Sequence, residues 1–140
     1  FAALPEPFVT AAVKGGNGKI VVDFQKYWAE LSGGPDRFPV VGLFVKRDFL
    51  DKYPQESAEV ARILSQSTDW SNKNVDLALA QSAEILPIPA PIMKEALTRI
   101  DFTYIPIKEC RSEVDTFLKK IQELYPDGIK AIPDNGFYAE

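Results

Sequence analysis

Apolar residues recur at helical steps along most of this chain, and in a few short places they run on without a break. The helical pattern is clearest near the end. Val114, Phe117, Leu118, Ile121 and Tyr125 follow at three- and four-residue intervals, which gives one long helix an apolar face. Ser112 with Asp115 fits a helix-start signature, and Pro126-Asp127-Gly128 closes the segment. Nearer the start, the spacing predicts a short helix over Phe8 to Val13, stopped by Gly15-Gly16-Asn17-Gly18. Phe24 to Leu31 reads as a short helix or an irregular segment. One or two turns over Arg47 to Tyr53 end at Pro54. Gln55 to Gln66 carries Val60, Ile63 and Leu64 on one face, and Asn72 to Leu86 carries Val75, Leu79 and Leu86. Pro87, Pro89 and Pro91 break that pattern, and Pro91 suits the first turn of a further helix over Ile92 to Ile100.

The unbroken apolar runs predict strands. Ile20-Val21-Val22 is β-branched and bounded by turn residues. Pro39 to Lys46 is longer, and its continuous apolar character predicts burial on both faces of a parallel or mixed sheet, with Gly42 marking a bulge or a close approach. Phe102 to Ile107 reads as extended. Phe1 to Leu4 reads as the end of a strand already under way. Two or three strands make no comfortable sheet alone. The expectation is therefore a chain cut from a longer protein, with the N-terminal part of the fold elsewhere.

Composition narrows the function classes. The chain has 140 residues, 46% hydrophobic and 26% charged, which suits one ordinary globular domain. The net charge is -4, and the basic residues are scattered, which disfavours a nucleic-acid surface. There is no histidine and one cysteine, Cys110. An internal disulfide is excluded, most zinc sites are disfavoured, and Cys110 has no imidazole to activate it. No run is long enough to span a membrane.

Candidate chemistry is sparse. Gly15-Gly16-Asn17-Gly18 precedes a predicted strand and lacks the Lys-Ser/Thr of a phosphate loop, so a plain turn is the better reading. Asp48 with Asp51, and Glu56 with Glu59, read as solvated helix faces rather than acid–base pairs. Tyr27-Trp28 and Asp69-Trp70 fall in or near predicted loops. There an aromatic ring either stacks on a ligand or packs as ordinary core. Phe137-Tyr138 reads equally as a clamp for the tail and as a binding element. No catalytic residue, metal ligand or cofactor is assigned.

Several segments together resemble one family. Ala3-Leu4-Pro5-Glu6-Pro7-Phe8 resembles a turn that follows a second-lobe strand in NMT1/THI5-like solute-binding proteins. Val41-Gly42-Leu43-Phe44-Val45-Lys46-Arg47-Asp48-Phe49-Leu50, followed by Lys52-Tyr53-Pro54, resembles the strand and helix after that family's second hinge crossing. The last helix and Ile132-Pro133-Asp134 with Phe137-Tyr138 match its closing pattern in kind.

The resemblance spans essentially the whole chain but only the second half of a typical member. It implies an α/β class, part of a type II periplasmic-binding-protein-like fold, helix-rich with a few strands. Residues 1–38 would end the second lobe, and residues 39–140 would return to the first. It implies a non-catalytic, small-molecule-binding component of an ABC uptake transporter, periplasmic or extracellular, with or without a lipid anchor. Its partners would be a membrane permease and the missing N-terminal half of the same protein. The cleft-facing residues by this resemblance are Leu4, Pro5, Glu6, Phe38 and Pro39. A cleft carboxylate at Glu6 favours a cationic or hydrogen-bond-donating ligand, whereas the plainer role of Glu6 is to cap the Phe8 helix. Two alternatives share the two-lobe fold: the effector domain of a transcription regulator, and a THI5-like pyrimidine-synthesis enzyme, whose active-site histidine this chain lacks. A helical interaction domain is a third.

Overall fold

The computed structural model describes residues 1–16 and 18–139. Asn17, in the expected Gly15–Gly18 turn, and Glu140, at the end of the tail, lie outside the described residues. Among the described residues, seven helices follow one another: α1 (Phe8–Lys14), α2 (Phe24–Ser32), α3 (Arg47–Lys52), α4 (Pro54–Lys73), α5 (Val75–Ser82), α6 (Ala90–Ala96) and α7 (Ile107–Leu124). A 3-10 turn follows at Asn135–Phe137.

The α/β expectation is overturned. The described residues form helices and no strand. Ile20–Val22 and Pro39–Val45 are non-helical, but a strand exists only through its pairing with a neighbour. No backbone hydrogen bond joins either segment to another described residue. Their side chains lie in the open, with Val41 90% and Val40 78% exposed. The apolar run that predicted burial on both faces is therefore exposed from Val40 to Val45, with only the Phe44 ring meeting another ring, that of Phe137 at 6.0 Å, among the described residues.

Local signals set most helix ends. The Asp23 side chain caps α2 by accepting from the Gln25 and Lys26 amides, at 3.0 and 3.4 Å. Gly33 closes that helix in the left-handed region, with φ 66°. Pro54 has no amide to continue α3 and instead opens α4. That helix runs past the predicted Gln66 end as far as Lys73, because polar Ser67, Thr68 and Asp69 cost a helix little once Thr68 returns its hydroxyl to the Leu64 carbonyl (2.9 Å). Asn74 then breaks the chain, and its side-chain amide takes the Trp70 carbonyl at 2.9 Å. The single helix expected over Asn72–Leu86 is thus shortened to α5. The expected start at Ser112 is also corrected. α7 begins directly after Pro106, and Asp115 spends its carboxylate on Tyr138 rather than on a cap.

The chain divides into two compact units. One comprises 1–22 with 45–104, and the other comprises 23–44 with 105 onward. In the first unit, α1 packs on α6, α6 on α5, α5 on α4, and α4 on α3. Ala96 on α6 and Thr10 on α1 are its most enclosed side chains. Lys14–Glu95 (2.7 Å) and Lys94–Asp76 (2.6 Å) are exposed ion pairs across these contacts and add little.

In the second unit, the apolar stripe of α7 meets α2 and the segment after it. Phe117 lies edge-on to Trp28, with centroids 5.4 Å apart, and stacks on Phe38 at 5.7 Å. Arg37 grips Glu113 in a two-pronged bond at 3.0 and 2.9 Å. Tyr27-Trp28 and Asp69-Trp70 sit on helices, not in loops. Tyr138 docks the tail on α7: its hydroxyl donates to Asp115 (2.6 Å), and Arg111 lies over its ring at 4.4 Å.

Replacing Phe117 with alanine removes two aromatic contacts from a half-buried site. The expected loss is about 2 kcal/mol, read as a lower denaturant midpoint for the Trp28 emission in a Trp70→Phe background. Tyr138 makes a second prediction. Burial, then the hydrogen bond and charge of Asp115, push its phenol up to about 12. The docked form is neutral, so its contribution is complete below the ordinary phenol range and lost as pH rises toward that value. Alkaline melting followed by Trp28 emission should weaken through this window in the parent chain, and less so in Tyr138→Phe.

Candidate functional site

A concave surface in the first unit lies along α4 and α5, and helical spacing builds it. Ile63, Gln66, Ser67, Trp70 and Ser71 recur at three- and four-residue steps and so share one face of α4. Ala78, Gln81, Ser82 and Ile85 do the same on α5 and just beyond it. Together they line an open groove of about 540 Å³, a volume in the range that holds a small molecule.

Every lining residue is uncharged. Trp70 leaves 42% of its surface open and offers an aromatic face. Gln66 receives Arg62 at its amide oxygen (2.7 Å), which orients that side chain. Arg62 also forks onto Glu59. That hydrogen bond, together with the charge behind it, holds the Glu59 carboxyl below its usual range, so the nearby charges answer each other. Ser82 donates its hydroxyl proton to the Ala78 carbonyl at 2.8 Å and keeps its oxygen as an acceptor. Amides, hydroxyls and an indole can orient a ligand, but none of these groups is paired with a base that would make it a nucleophile.

The residues singled out by resemblance have other duties. Leu4 is exposed, and the Pro5 carbonyl accepts from the Phe8 amide at 3.0 Å. Glu6 accepts from the Thr10 amide (3.2 Å), the Thr10 hydroxyl (2.6 Å) and Arg99 Nε (2.7 Å). Arg99 also donates to the Thr10 hydroxyl. Burial raises the Glu6 carboxyl, but the Thr10 and Arg99 bonds outweigh it and leave the group below its ordinary value. Phe38 is stacked in the aromatic cluster, and Pro39 is half-buried beside it in sequence. Leu4, Pro5 and Glu6 belong to the first unit, Phe38 and Pro39 to the second.

A smaller hollow of about 140 Å³ lies between the α2 end and α7, with Arg37 and Glu113 on its wall already bonded to each other. Burial, and then the Glu113 charge, push the Cys110 thiol up, which favours its protonated form. Asp48, Asp51, Glu56 and Glu59 are all exposed. Among the described residues no group of three or more His, Cys, Asp or Glu side chains could hold a metal. No described helix is long and apolar enough to cross a membrane.

Of the groove residues, the sequence drew attention to Trp70 alone. Gln66, Ser67, Ser71, Gln81 and Ser82 were missed. Their signal was available as a polar stripe at helical spacing beside Ile63 and Ile85, but such stripes ordinarily face water. No family model matches the chain, and no curated protein or solved structure matches it either.

Replacing Glu6 with alanine strands the Arg99 guanidinium and the Thr10 hydroxyl and should cost on the order of 2 kcal/mol. Because the folded carboxyl is depressed, its contribution is present above the ordinary carboxylate value and is lost as pH falls through the folded one. Acid unfolding followed by circular dichroism should therefore be less steep in Glu6→Gln than in the parent.

Proposed function

We propose that this chain is the small-molecule-binding component of an ABC uptake transporter and holds its ligand without chemical change. The observation that carries the reading is the α4–α5 groove, where an indole and neutral hydrogen-bonding groups line a space of small-molecule size. On this reading, the functional partners are a membrane permease and the other half of the binding protein. On the same reading, the protein works in the periplasm or at the cell exterior.

The uncharged lining favours an uncharged ligand. A sulfonate or nitrate would lose its hydration without meeting a cation. An aminopyrimidine or a similar neutral molecule meets amides, hydroxyls and a ring face.

Thermal melting against sulfonates, nitrate, aromatic carboxylates, aminopyrimidines and neutral sugars tests the proposal. A neutral compound should raise the melting temperature and change Trp70 emission, and Trp70→Ala should weaken its binding about tenfold, the scale of a lost aromatic contact. Ligand binding that ignores Trp70→Ala would remove the groove from the reading. A flat panel would remove the reading itself.

A further inference from the structure

Three residues of α4 form a relay that ends in the groove. Glu59 takes the Arg62 fork, with Arg62 Nε at 2.7 Å and Nη2 on the other carboxylate oxygen. Arg62 turns its Nη1 to the side-chain oxygen of Gln66, at 2.7 Å. These are the three- and four-residue steps at which helix side chains meet. Glu59 and Arg62 do not line the groove, whereas Gln66 does.

The relay decides which end of the Gln66 amide is left for a ligand. A guanidinium only donates. With the Gln66 oxygen against Arg62, the two Nε2–H bonds remain. Turned round, the amide would set its own N–H against the guanidinium N–H, donor on donor. Trp70 lines the same wall one turn further on, and its ring N–H can only donate. On α5, Ser82 directs its proton to the main chain, at the Ala78 carbonyl (2.8 Å) and the Leu79 carbonyl (3.3 Å). Its oxygen is left to accept. The hydroxyls of Ser67 and Ser71 rotate to serve either way and so select nothing. The fixed groups therefore have a polarity, with donors on α4 and an acceptor on α5.

We infer, on the reading of the groove as the ligand site, that Arg62 is a positioning residue: it holds Gln66 as a donor and so selects a flat, neutral ligand that presents a carbonyl. The chemical class is a cyclic amide on an aromatic frame. Its carbonyl accepts from the α4 wall, its ring lies on Trp70, and its N–H donates to Ser82. Glu59 acts one step back, by holding Arg62 against Gln66. A molecule of the same shape without the carbonyl would cover the Gln66 donor and leave it unmet, which is how a polar site rejects an analogue.

Three matched probes test it. Oxindole has the ring, the carbonyl and the N–H. Indoline keeps the ring and the N–H and lacks the carbonyl. N-methyloxindole keeps the carbonyl and loses the N–H. Titration followed by nitrogen–proton NMR reads affinity and site together, with Gln66→Met identifying the Gln66 side-chain amide signals. Oxindole should move those signals and the Trp70 indole signal. It should bind about fivefold more tightly than either analogue, the scale of one net hydrogen bond. In Arg62→Met the Gln66 amide can turn, so the preference for oxindole over indoline should fall to within about twofold. The preference over N-methyloxindole, set at Ser82, should stay. Glu59→Gln should act in the same direction as Arg62→Met and more weakly. A structural role for Arg62 alone would weaken all three probes alike and leave the preference intact.

Equal binding of oxindole and indoline, or an unchanged preference in Arg62→Met, overturns the inference. If that binding is still weakened by Trp70→Ala, the groove stands as the ligand site. Binding of no probe, or binding that ignores Trp70→Ala, removes the groove as the site and the inference with it.

Discussion

Main-chain polar groups need partners wherever they leave water, and this constraint sorts the molecule into two kinds of segment. The seven helices meet it internally, so each needs only one apolar face covered. The non-helical runs Ile20–Val22 and Val40–Val45 leave theirs to water, with their valines exposed. The small set of enclosed side chains (Thr10, Thr68, Leu79, Ala96 and Tyr138) lies on or against helices. The core therefore follows from hydrogen bonding before hydrophobicity. None of the enclosed side chains comes from the Val40–Val45 run.

Where helices do meet, polar groups fix the geometry that small apolar contacts leave loose. Glu6 ties the start of α1 to Arg99, just after α6, through a carboxylate whose bonds outweigh its burial. The Arg37 fork on Glu113 and the Tyr138 hydroxyl on Asp115 do the same along α7. Each joins residues far apart in sequence and each is directional, which an apolar contact is not. The same economy explains why Glu6 is a poor candidate for the ligand contact that its family-like turn suggests: its oxygens are already engaged.

Helices were legible in the sequence because their signal is local. The α7 stripe, the Pro54 start and the break after Lys14 follow from spacing and from the chemistry of proline and glycine. Boundaries failed where a side chain bonded its own backbone, as at Thr68 and Asn74, or where a carboxylate was drawn to a distant ring, as at Asp115. The strands failed for a different reason. β-branched residues at Ile20–Val22 and Val40–Val41 report a fitness for pairing, and pairing requires a partner that no local pattern supplies. The groove escaped notice because serine and glutamine on a helix usually mean solvent, and only the placement of α5 beside α4 makes them converge.

The groove draws on the same constraint. α4 and α5 satisfy their own main chains, so its shape depends on their mutual packing and on Trp70. On the proposed reading, ligand choice is written in the neutral lining of these two helices. Amides, hydroxyls and an indole can meet a neutral hydrogen-bonding molecule, whereas an anion would lose its hydration there without meeting a cation.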